Sequence, residues 1–372
     1  MHGLSDFTPI FVVAIPVRDE VERIEACLRA LCSQRGARCD HIVLLLNNCG
    51  DGTEALVDRL RPHLGVPVTM VTRRFPSGMA HAGSARSDAM ALAAGIAGPD
   101  GIVATTDADG IVDPDWIART LAAFALGADV VCGRAVIDPV EALLISPALH
   151  ADDAREVGYG TLLDEIHARV DPDRFDPLPR HAEHSGASIA TYVAAYELAG
   201  GMAPLPSGED RGFLKALRAV DARIRHAPDV CVTVSGRMQG RAVGGMADTM
   251  ARRMIQQDAL LDADLEPALD CLRRASLRAR TRALWAQRSN NSPSWREQVG
   301  MLANDAGLPE DLLLSWMQAD HCGKAWNRIE AESPALARAP VARQALDRQV
   351  AIAGRILASL RNALPADAVA TV

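Results

Sequence analysis

The sequence has few aromatic residues and no excess of positive charge. Phe, Trp and Tyr make up 4% of its 372 residues, whereas apolar residues make up 49%. The core therefore has to be built mainly from Ala, Leu, Val and Ile, which favours helices and buried parallel strands. The net charge is −8, and no run of Lys and Arg occurs. This composition argues against a nucleic-acid-binding protein, which usually carries a basic stripe.

Long apolar segments and paired cysteines are also missing. The longest apolar runs, such as residues 10–17 and 42–46, are far shorter than the ~20 residues of a membrane-spanning helix. The N-terminus has no basic segment followed by an apolar one, as a signal peptide would. The eight cysteines are scattered without a Cys-x-x-Cys pair, which is typical of reduced thiols inside a cytosolic protein. We therefore expect a soluble, cytoplasmic protein without a membrane span.

The first part of the chain alternates short apolar runs with segments of helical spacing. Buried strands are predicted at residues 11–15 (ended by Pro16), 42–46, 66–71, 102–106 and 128–132. Asp113 and Pro114 predict the N-cap and first residue of one intervening helix. The repeated β-α-β order predicts an α/β fold, with a mostly parallel sheet covered by helices on both faces.

The later chain reads differently. Residues 138–182 break the alternation and predict an insertion beside the ligand-binding edge of the sheet, with a helix near residues 154–170. Strand signals end near residue 245, so we expect one domain at 1–245 and a helical extension at 246–372. An apolar stripe in this extension predicts packing or a homodimer through its helices; it comprises Leu346, Val350, Ala353, Leu357 and Leu360.

Polar clusters follow three of the predicted strands. In an open α/β sheet, ligands bind at the carboxyl ends of the strands, so these clusters should share one edge. The residues that we expect to contact a ligand there are Pro16, Arg18 and Glu20 after the first strand, Asn47, Asn48 and Asp51 after the second, and Asp107, Ala108 and Asp109 after the fourth.

The Asp107-Ala108-Asp109 segment carries the clearest chemistry. Two carboxylates placed together are costly unless a cation offsets their charge. Oxygen ligands suit Mg²⁺ or Mn²⁺, which can bridge to a diphosphate. The ordinary alternative is a solvated loop with an Asp-Gly turn.

Two further segments have both a functional and an ordinary interpretation. Glu209 and Asp210 begin a predicted helix, where an acid is either a helix cap or a carboxylate held ionised as a general base. Gly83 lies in a stretch of small residues that enters a helix and would allow a ligand to approach closely, and Arg86 follows it. Arg86 could meet a phosphate there or lie on the surface.

The order of these motifs resembles that of family-2 type glycosyltransferases with the GT-A fold. The resemblance covers roughly residues 10–245. Seven segments match in order: Pro16 to Glu20, Asn47 to Thr53, Gly83 to Ser87, Asp107 to Asp109, Ser185 to Ser188, Gly200 to Met202, and Glu209-Asp210.

The resemblance implies roles for individual residues. It implies that Asp109 binds a divalent metal and that Asp107 lies near the nucleotide ribose or the metal. Asp210, beside Glu209, would be the catalytic base of an inverting transfer from a nucleoside-diphosphate sugar. Ser185 and Gly186 would belong to the substrate-binding loop.

Two departures from the family pattern affect the expected ligands. The family usually has an acid on the uracil imide where this chain has Asn47 or Asn48. An amide can accept from that N–H or donate to a guanine carbonyl, so UDP is favoured over GDP only slightly. Where the family often has a metal-binding histidine, this chain has Ser235, followed by Arg237. Ser235 would be a third metal ligand, or Ser235 and Arg237 would contact phosphate.

We therefore expect a metal-dependent glycosyltransferase that acts on a small-molecule donor and acceptor. Two alternatives stay open, namely a retaining synthase of sugar-glycerate or sugar-phosphoglycerate compounds and a non-catalytic nucleotide-sugar-binding module. A nucleotidyltransferase is disfavoured, because residues 16–20 lack the glycines that such enzymes carry after the first strand.

Overall fold

A computed structural model describes residues 9–237, 240 and 246–363. The chain divides into two compact units. The first comprises residues 1–145, 183–218 and 222–254, and the second comprises residues 146–182, 219–221 and 255–372. Residues 146–182 thus belong to the same unit as the C-terminal helices. The domain boundary expected near residue 245 stays a prediction.

An eight-stranded sheet forms the centre of the first unit. Its strands are β1 (Phe11–Val17), β2 (His41–Asn47), β3 (Val68–Arg73), β4 (Ile102–Thr105), β5 (Ile111–Val112), β6 (Val130–Ile137), β7 (Ile189–Tyr192) and β8 (Ile224–Val234). They lie in the order β3-β2-β1-β4-β7-β6-β8-β5.

The sheet is mixed. The pairs β1–β2, β2–β3, β1–β4 and β6–β8 are parallel, as expected for buried apolar strands. β7 runs antiparallel between β4 and β6, and β5 is antiparallel to β8. β1 continues to Val17, with Pro16 opposite Leu45 of β2. The expectation that Pro16 ends this strand was therefore wrong, because proline removes only one ladder hydrogen bond.

Helices pack on both faces of this sheet. The unit contains α1 (Ile24–Cys32), α2 (Thr53–Leu60), α3 (Ala82–Ala97), α4 (Trp116–Ala125), α5 (Pro139–Ala142), α7 (Val193–Leu198), α8 (Glu209–Ala219) and α9 (Met246–Ile255). Along β1, Val13 and Ile15 enter one apolar core with α1, whereas Val12 and Ala14 enter a second core with α3. This alternation is what a strand buried on both faces requires.

The start of α4 differs from the prediction. The helix begins at Trp116, and Asp115 precedes it without a capping hydrogen bond from its side chain. Asp113 instead accepts a hydrogen bond from the Trp116 amide through its backbone oxygen. The Asp-Pro pair therefore forms the turn before the helix, and the predicted cap at Asp113 was wrong.

The second unit is helical where the structure describes it. Its helices are α6 (Pro147–Val170), α10 (Ala268–Ala286), α11 (Pro293–Ala306), α12 (Glu310–Trp316), α13 (Cys322–Glu332) and α14 (Leu346–Ala363). Leu346, Ala353 and Leu357 of the predicted stripe are buried in a core with Tyr159 and Ile166 of α6. This packing uses most of the stripe on which the expectation of a homodimer rested.

Two further observations concern sulfur and the membrane. All eight cysteines are free thiols. Among the described residues, no helix combines the length and the apolar character needed to cross a bilayer.

Candidate functional site

The sequence-predicted residues gather at the carboxyl ends of the strands in the first unit. Asn47 is the last residue of β2, Asp107 and Asp109 follow β4, and Ser235 follows β8. The helix α8, which begins with Glu209 and Asp210, is joined to this edge by the contacts described below.

Arg86 is the centre of the site. Its guanidinium lies 2.7 Å from Asp107 Oδ1 and 3.0 Å from Glu209 Oε1. It also donates to Thr105 Oγ1 at 3.0 Å and to the Gly186 carbonyl at 2.8 Å. Arg86 is 5% exposed. Burial alone would lower the pKa of Arg86, but the two carboxylates raise it above its usual value. The structure thus places Arg86 among protein groups and not on the surface.

Asp107 and Asp109 lie in a turn. The Gly110 amide donates to the Asp107 carbonyl at 3.0 Å, and the Ala108 side chain is buried in the core below. Each carboxylate has its own arginine, because Asp107 pairs with Arg86 and Asp109 Oδ2 lies 3.1 Å from Arg237 Nη2. The sequence predicts one cation offsetting both acids, with a solvated Asp-Gly turn as the alternative. The structure has the turn, and the role of the two acids as metal ligands stays a prediction.

Ionisation of Asp109 is unfavourable, because its carboxylate is largely buried and lies near other acids. Burial raises its pKa to about 6, the nearby Asp107 and Glu20 carboxylates also raise it, and Arg237 lowers it. Arg237 is further bound by both oxygens of Glu20, which is itself 5% exposed. The site therefore holds more negative charge than Arg237 offsets, and an added cation would stabilise it.

Ser235 forms hydrogen bonds with Glu141 and Arg237, and not with Asp107 or Asp109 in the described contacts. Its Oγ donates to Glu141 Oε2 at 2.9 Å and accepts from the Arg237 amide at 3.2 Å. The Gly236 amide donates to the same Glu141 oxygen at 2.6 Å, and Arg23 lies 2.7 Å from the other. Ser235 thus shapes the turn after β8, and its role as a metal ligand stays a prediction.

Asp210 lies in the first turn of α8. Its Oδ2 accepts from the Gly186 amide at 3.0 Å, and its Oδ1 accepts from the Arg211 amide at 2.7 Å. Since Gly186 also accepts from Arg86, one hydrogen-bonded network joins Asp107, Arg86, Gly186 and Asp210. The metal motif and the base motif, about a hundred residues apart in sequence, are thereby held in one site.

The two asparagines after β2 differ in their contacts. Asn48 exchanges hydrogen bonds with the backbone of Phe75 at 3.0 and 2.9 Å, so its amide braces a loop. Asn47 is 1% exposed and donates to the His81 carbonyl at 3.1 Å. Its Oδ1 is buried and has no hydrogen-bond partner among the described residues; the same holds for Thr106 Oγ1. An unpaired buried acceptor costs free energy unless a ligand satisfies it.

Arg18 after β1 and Asp51 after β2 form hydrogen bonds that hold their loops. Arg18 donates to the Ala80 carbonyl at 2.5 Å. Asp51 accepts from the Thr53 amide and hydroxyl and from the Val21 amide. Burial opposes ionisation of Asp51, but these hydrogen bonds outweigh it and lower the pKa.

Two glycines are required by close packing. A Cβ on Gly83 would lie 1.9 Å from the Leu205 carbonyl oxygen, and a Cβ on Gly186 would lie 2.8 Å from Arg86 Cζ. Gly83 therefore lets α3 approach the segment before α8, whereas the sequence had suggested a ligand contact. Ser185 Oγ accepts from the Ala187 amide at 3.3 Å, which shapes the same loop as Gly186.

Sequence reasoning missed Glu141 and Arg23. Glu141 follows β6, whose carboxyl end was not searched for polar residues although it was predicted as a strand. Together with Glu22, Ala26, Ile111 and Asp109, Arg23 lines a cavity beside the site. A search of every strand end would have found Glu141.

Asp107 and Asp109 are suitable ligands for a divalent metal whose other ligands are phosphate oxygens and water. Among the described residues, the only group of three His, Cys, Asp or Glu side chains with ligand atoms within 4.8 Å of one another is His167, Glu266 and Cys271, in the second unit. Asp107 and Asp109 thus have no third such ligand. Mg²⁺ is often bound by one or two carboxylates together with phosphates and water, so two carboxylates suffice.

The comparison with protein families agrees with this arrangement. Residues 12–190 match the family described as "Glycosyl transferase family 2". The chain contains a family 2 glycosyltransferase domain. It is therefore an enzyme of the glycosyltransferase class, and the matched region contains the network of Arg86, Asp107 and Gly186. No curated protein sequence matches the chain.

Solved structures resemble the glycosyltransferase only distantly. A mannosyltransferase from Pyrobaculum calidifontis in complex with GDP-Man and Mn²⁺ is 19% identical, with a TM-score of 0.46 over 89% of this chain and 87% of that one. TarS 1-349 of S. aureus in complex with UDP-GlcNAc is 16% identical, with a TM-score of 0.46 over 86% and 90%. Glucosyl-3-phosphoglycerate synthase from Mycobacterium tuberculosis is 17% identical, with a TM-score of 0.37 over 66% and 78%.

Proposed function

We propose that this glycosyltransferase moves a sugar from a nucleoside-diphosphate donor to a hydroxyl group of a small acceptor, with a divalent metal and with inversion. The observation that carries the proposal is the network from Asp107 through Arg86 and Gly186 to Asp210. It sets a pair of acids suited to a metal and a carboxylate suited to a base in one site of the first unit.

The donor diphosphate is proposed to bind at Asp107 and Asp109. A Mg²⁺ or Mn²⁺ ion held there would neutralise negative charge on the leaving diphosphate. The ion pair with Arg86 fixes Asp107 Oδ1 and thereby orients the Asp107 carboxylate in the proposed metal site. The excess negative charge around Asp109 supports a cation at this position.

Asp210 is the proposed general base. The acceptor hydroxyl attacks the anomeric carbon of the sugar, its proton passes to the Asp210 carboxylate, and the bond to the diphosphate oxygen breaks with its electron pair on the diphosphate. Hydrogen bonds from the Gly186 and Arg211 amides hold the two oxygens of the Asp210 carboxylate in place for this step. Attack from the side opposite the diphosphate inverts the anomeric carbon.

Asn47 is the proposed contact to the nucleobase. Its amide nitrogen already donates to His81, which leaves Oδ1 as an acceptor. This arrangement suits a base with a ring N–H group on its pairing edge, as uracil has at N3 and guanine at N1. Cytosine has an acceptor at N3 and can donate to Oδ1 only through its exocyclic amino group. We propose UDP as the donor nucleotide, with GDP as the second choice.

A thermal-shift panel tests the proposal. The wild-type protein and Asp109→Asn are heated with UDP, GDP, CDP and dTDP, each with and without Mn²⁺. A ligand that binds the native state raises its melting temperature by mass action. We expect UDP with Mn²⁺ to stabilise the wild type and to have a smaller effect on Asp109→Asn. Stabilisation by no diphosphate at millimolar concentration would contradict the proposed donor site.

A further inference from the structure

Arg237 forms an ion pair with Asp109, one of the two carboxylates at which the metal is proposed to bind. Its Nη2 lies 3.1 Å from Asp109 Oδ2, and its Nη1 donates to Glu20 Oε2 at 2.8 Å. Nη2 also donates to Glu20 Oε1. The Asp109 side chain is 16% exposed and that of Glu20 is 6% exposed. The Arg237 guanidinium thus offsets the negative charge of both Asp109 and Glu20.

The backbone beside Arg237 is anchored independently of its side chain. The Arg237 amide donates to Ser235 Oγ at 3.2 Å, and the Gly236 amide donates to Glu141 Oε2 at 2.6 Å. Glu141 is in turn held by Arg23 at 2.7 Å. Because these contacts fix the main chain, the guanidinium can leave Asp109 by rotating about side-chain bonds alone.

A divalent ion that takes Asp109 Oδ2 competes directly with the guanidinium for this oxygen. A metal held by this oxygen would face a like-charged guanidinium, whose Nη2 lies 3.1 Å from the same oxygen. Two positive groups in a partly buried site repel strongly, since few water molecules screen them. A metal that binds Asp109 Oδ2 therefore displaces the guanidinium from this oxygen.

We propose that Arg237 is a built-in cation that exchanges with the divalent metal at Asp109. In the metal-free enzyme it neutralises Asp109, and metal binding displaces it towards Glu20 alone. This inference rests on the proposed metal site. The exchange makes the metal affinity of the enzyme weaker than that of the same site without Arg237 on Asp109. Only molecules in which Arg237 is displaced can bind the metal.

The test is the Kd of Mn²⁺ for the full-length protein without nucleotide, measured by electron paramagnetic resonance of free Mn²⁺. Arg237→Gln removes the competing charge and keeps a polar side chain beside Glu20. We expect it to bind Mn²⁺ about tenfold more tightly than the wild type, since the competing state is lost. An unchanged or weaker affinity of Arg237→Gln would overturn the exchange.

Arg23→Gln is the matched control. Arg23 lines the same cavity as Asp109 but pairs with Glu141, so its removal changes the local charge equally without freeing Asp109. We expect its Mn²⁺ affinity to rise less than about threefold, because a partly exposed charge acts through solvent. Equal gains in both variants would show a general charge effect and would overturn the exchange.

Asp109→Asn separates this inference from the proposed function. If the wild type binds Mn²⁺ and Asp109→Asn does not, the metal site stands and only the Arg237 comparison decides the exchange. If neither the wild type nor Arg237→Gln binds Mn²⁺, even with UDP present, both the metal site and the exchange are refuted.

A second measurement covers the case in which Arg237→Gln does not fold, since it leaves Glu20 buried without its partner. Crystals of the wild type, grown without metal, are soaked in Mn²⁺ with UDP. We expect the Arg237 guanidinium to lie more than 4 Å from Asp109 once Mn²⁺ is bound there. A guanidinium still paired with a metal-bound Asp109 would overturn the exchange.

Discussion

Arg86 Nη2 lies 2.7 Å from Asp107 Oδ1, although the two residues lie on different elements, α3 and the turn after β4. The remaining donors of Arg86 bind Glu209, Thr105 and Gly186. A single side chain in α3 thus holds Asp107 of the proposed donor site and the loop that contacts the proposed base.

Arg86→Ala should destabilise the protein strongly. It leaves Asp107 and Glu209 without their buried partner, and breaking a buried ion pair costs about 3–5 kcal/mol. Urea unfolding of the purified variant measures this loss. Arg35→Ala is the control, because Arg35 has a side chain that is 69% exposed and pairs with Asp115 at the surface. That change should cost less than about 1 kcal/mol, and equal losses in both variants would refute the central role of Arg86.

Gly83→Ala should also destabilise the first unit. The added methyl group would meet the Leu205 carbonyl oxygen at 1.9 Å, so α3 or the segment before α8 has to shift. Overpacking of this kind typically costs about 1–3 kcal/mol. Gly95→Ala, in the same helix, meets nothing within 4 Å and should stabilise by about 0.5–1 kcal/mol. Thermal unfolding of both variants decides, and a stabilising Gly83→Ala would contradict the packing.

Local sequence patterns predicted the parallel part of the sheet well. β1, β2 and β4 are continuous apolar runs because both of their faces are buried, and such runs are recognisable without any partner. β7 was not recognised. It has four residues, Ile189–Tyr192, and α7 begins at the next residue, so no turn marks its end. It is a strand only because β4 and β6 pair with it on either side.

The candidate site shows the same limit at the level of side chains. The spacing of Asp107 and Asp109 predicted a pair of acids, but not that a different arginine binds each of them. Arg86 meets Glu209, which lies 123 residues later, and Arg237 meets Glu20, which lies 217 residues earlier. Contacts at such separations depend on how the strands are ordered, and no local pattern contains that information.

Asn47→Ala should weaken binding of UDP. If Asn47 Oδ1 accepts the imide N–H of uracil, its removal loses one hydrogen bond of about 1 kcal/mol. We expect a five- to tenfold higher Kd for UDP in calorimetry with Mn²⁺, and a smaller change for CDP, which offers no such N–H.

Asn48→Gly is the matched control for Asn47→Ala. Asn48 has a positive φ of 53°, which glycine adopts without strain, and its amide bonds only to Phe75 in the described contacts. We expect a lower melting temperature with an almost unchanged Kd for UDP. If Asn47→Ala left both nucleotide affinities unchanged, Asn47 would not be the base contact.

Asp210→Asn should reduce turnover without weakening donor binding. An amide keeps the hydrogen bond from the Gly186 amide but cannot take a proton from the acceptor, and loss of a general base typically lowers kcat about 10²–10⁴-fold. Slow transfer of the donor sugar to water in place of the acceptor releases UDP. The rate of UDP release measures kcat before the acceptor is known. Asp129→Asn removes a carboxylate that pairs with Arg223 and should retain kcat. A kcat of Asp210→Asn within threefold of wild type would exclude Asp210 as the base.

Asp109→Asn should stabilise the metal-free protein at pH 8. Burial, with Asp107 and Glu20 nearby, raises the pKa of Asp109 to about 6, above the unfolded value of 3.8. Between these values the native state binds more protons than the unfolded state, so the contribution of Asp109 to stability is lost as the pH rises through about 6. The variant avoids this loss, which amounts to about 1–3 kcal/mol.

Urea unfolding with EDTA, from pH 4 to pH 8, tests this dependence on Asp109. The advantage of Asp109→Asn over the wild type should grow with pH up to about 6 to 7 and then stay constant. Asp51→Asn provides a control of opposite sign. Hydrogen bonds lower the pKa of Asp51 despite the opposing effect of burial, so that variant should be less stable than the wild type at pH 8 and approach it as the pH falls. If Asp109→Asn were the less stable protein at pH 8, its pairing with Arg237 would outweigh burial, and the excess of negative charge that supports a metal at this site would be absent.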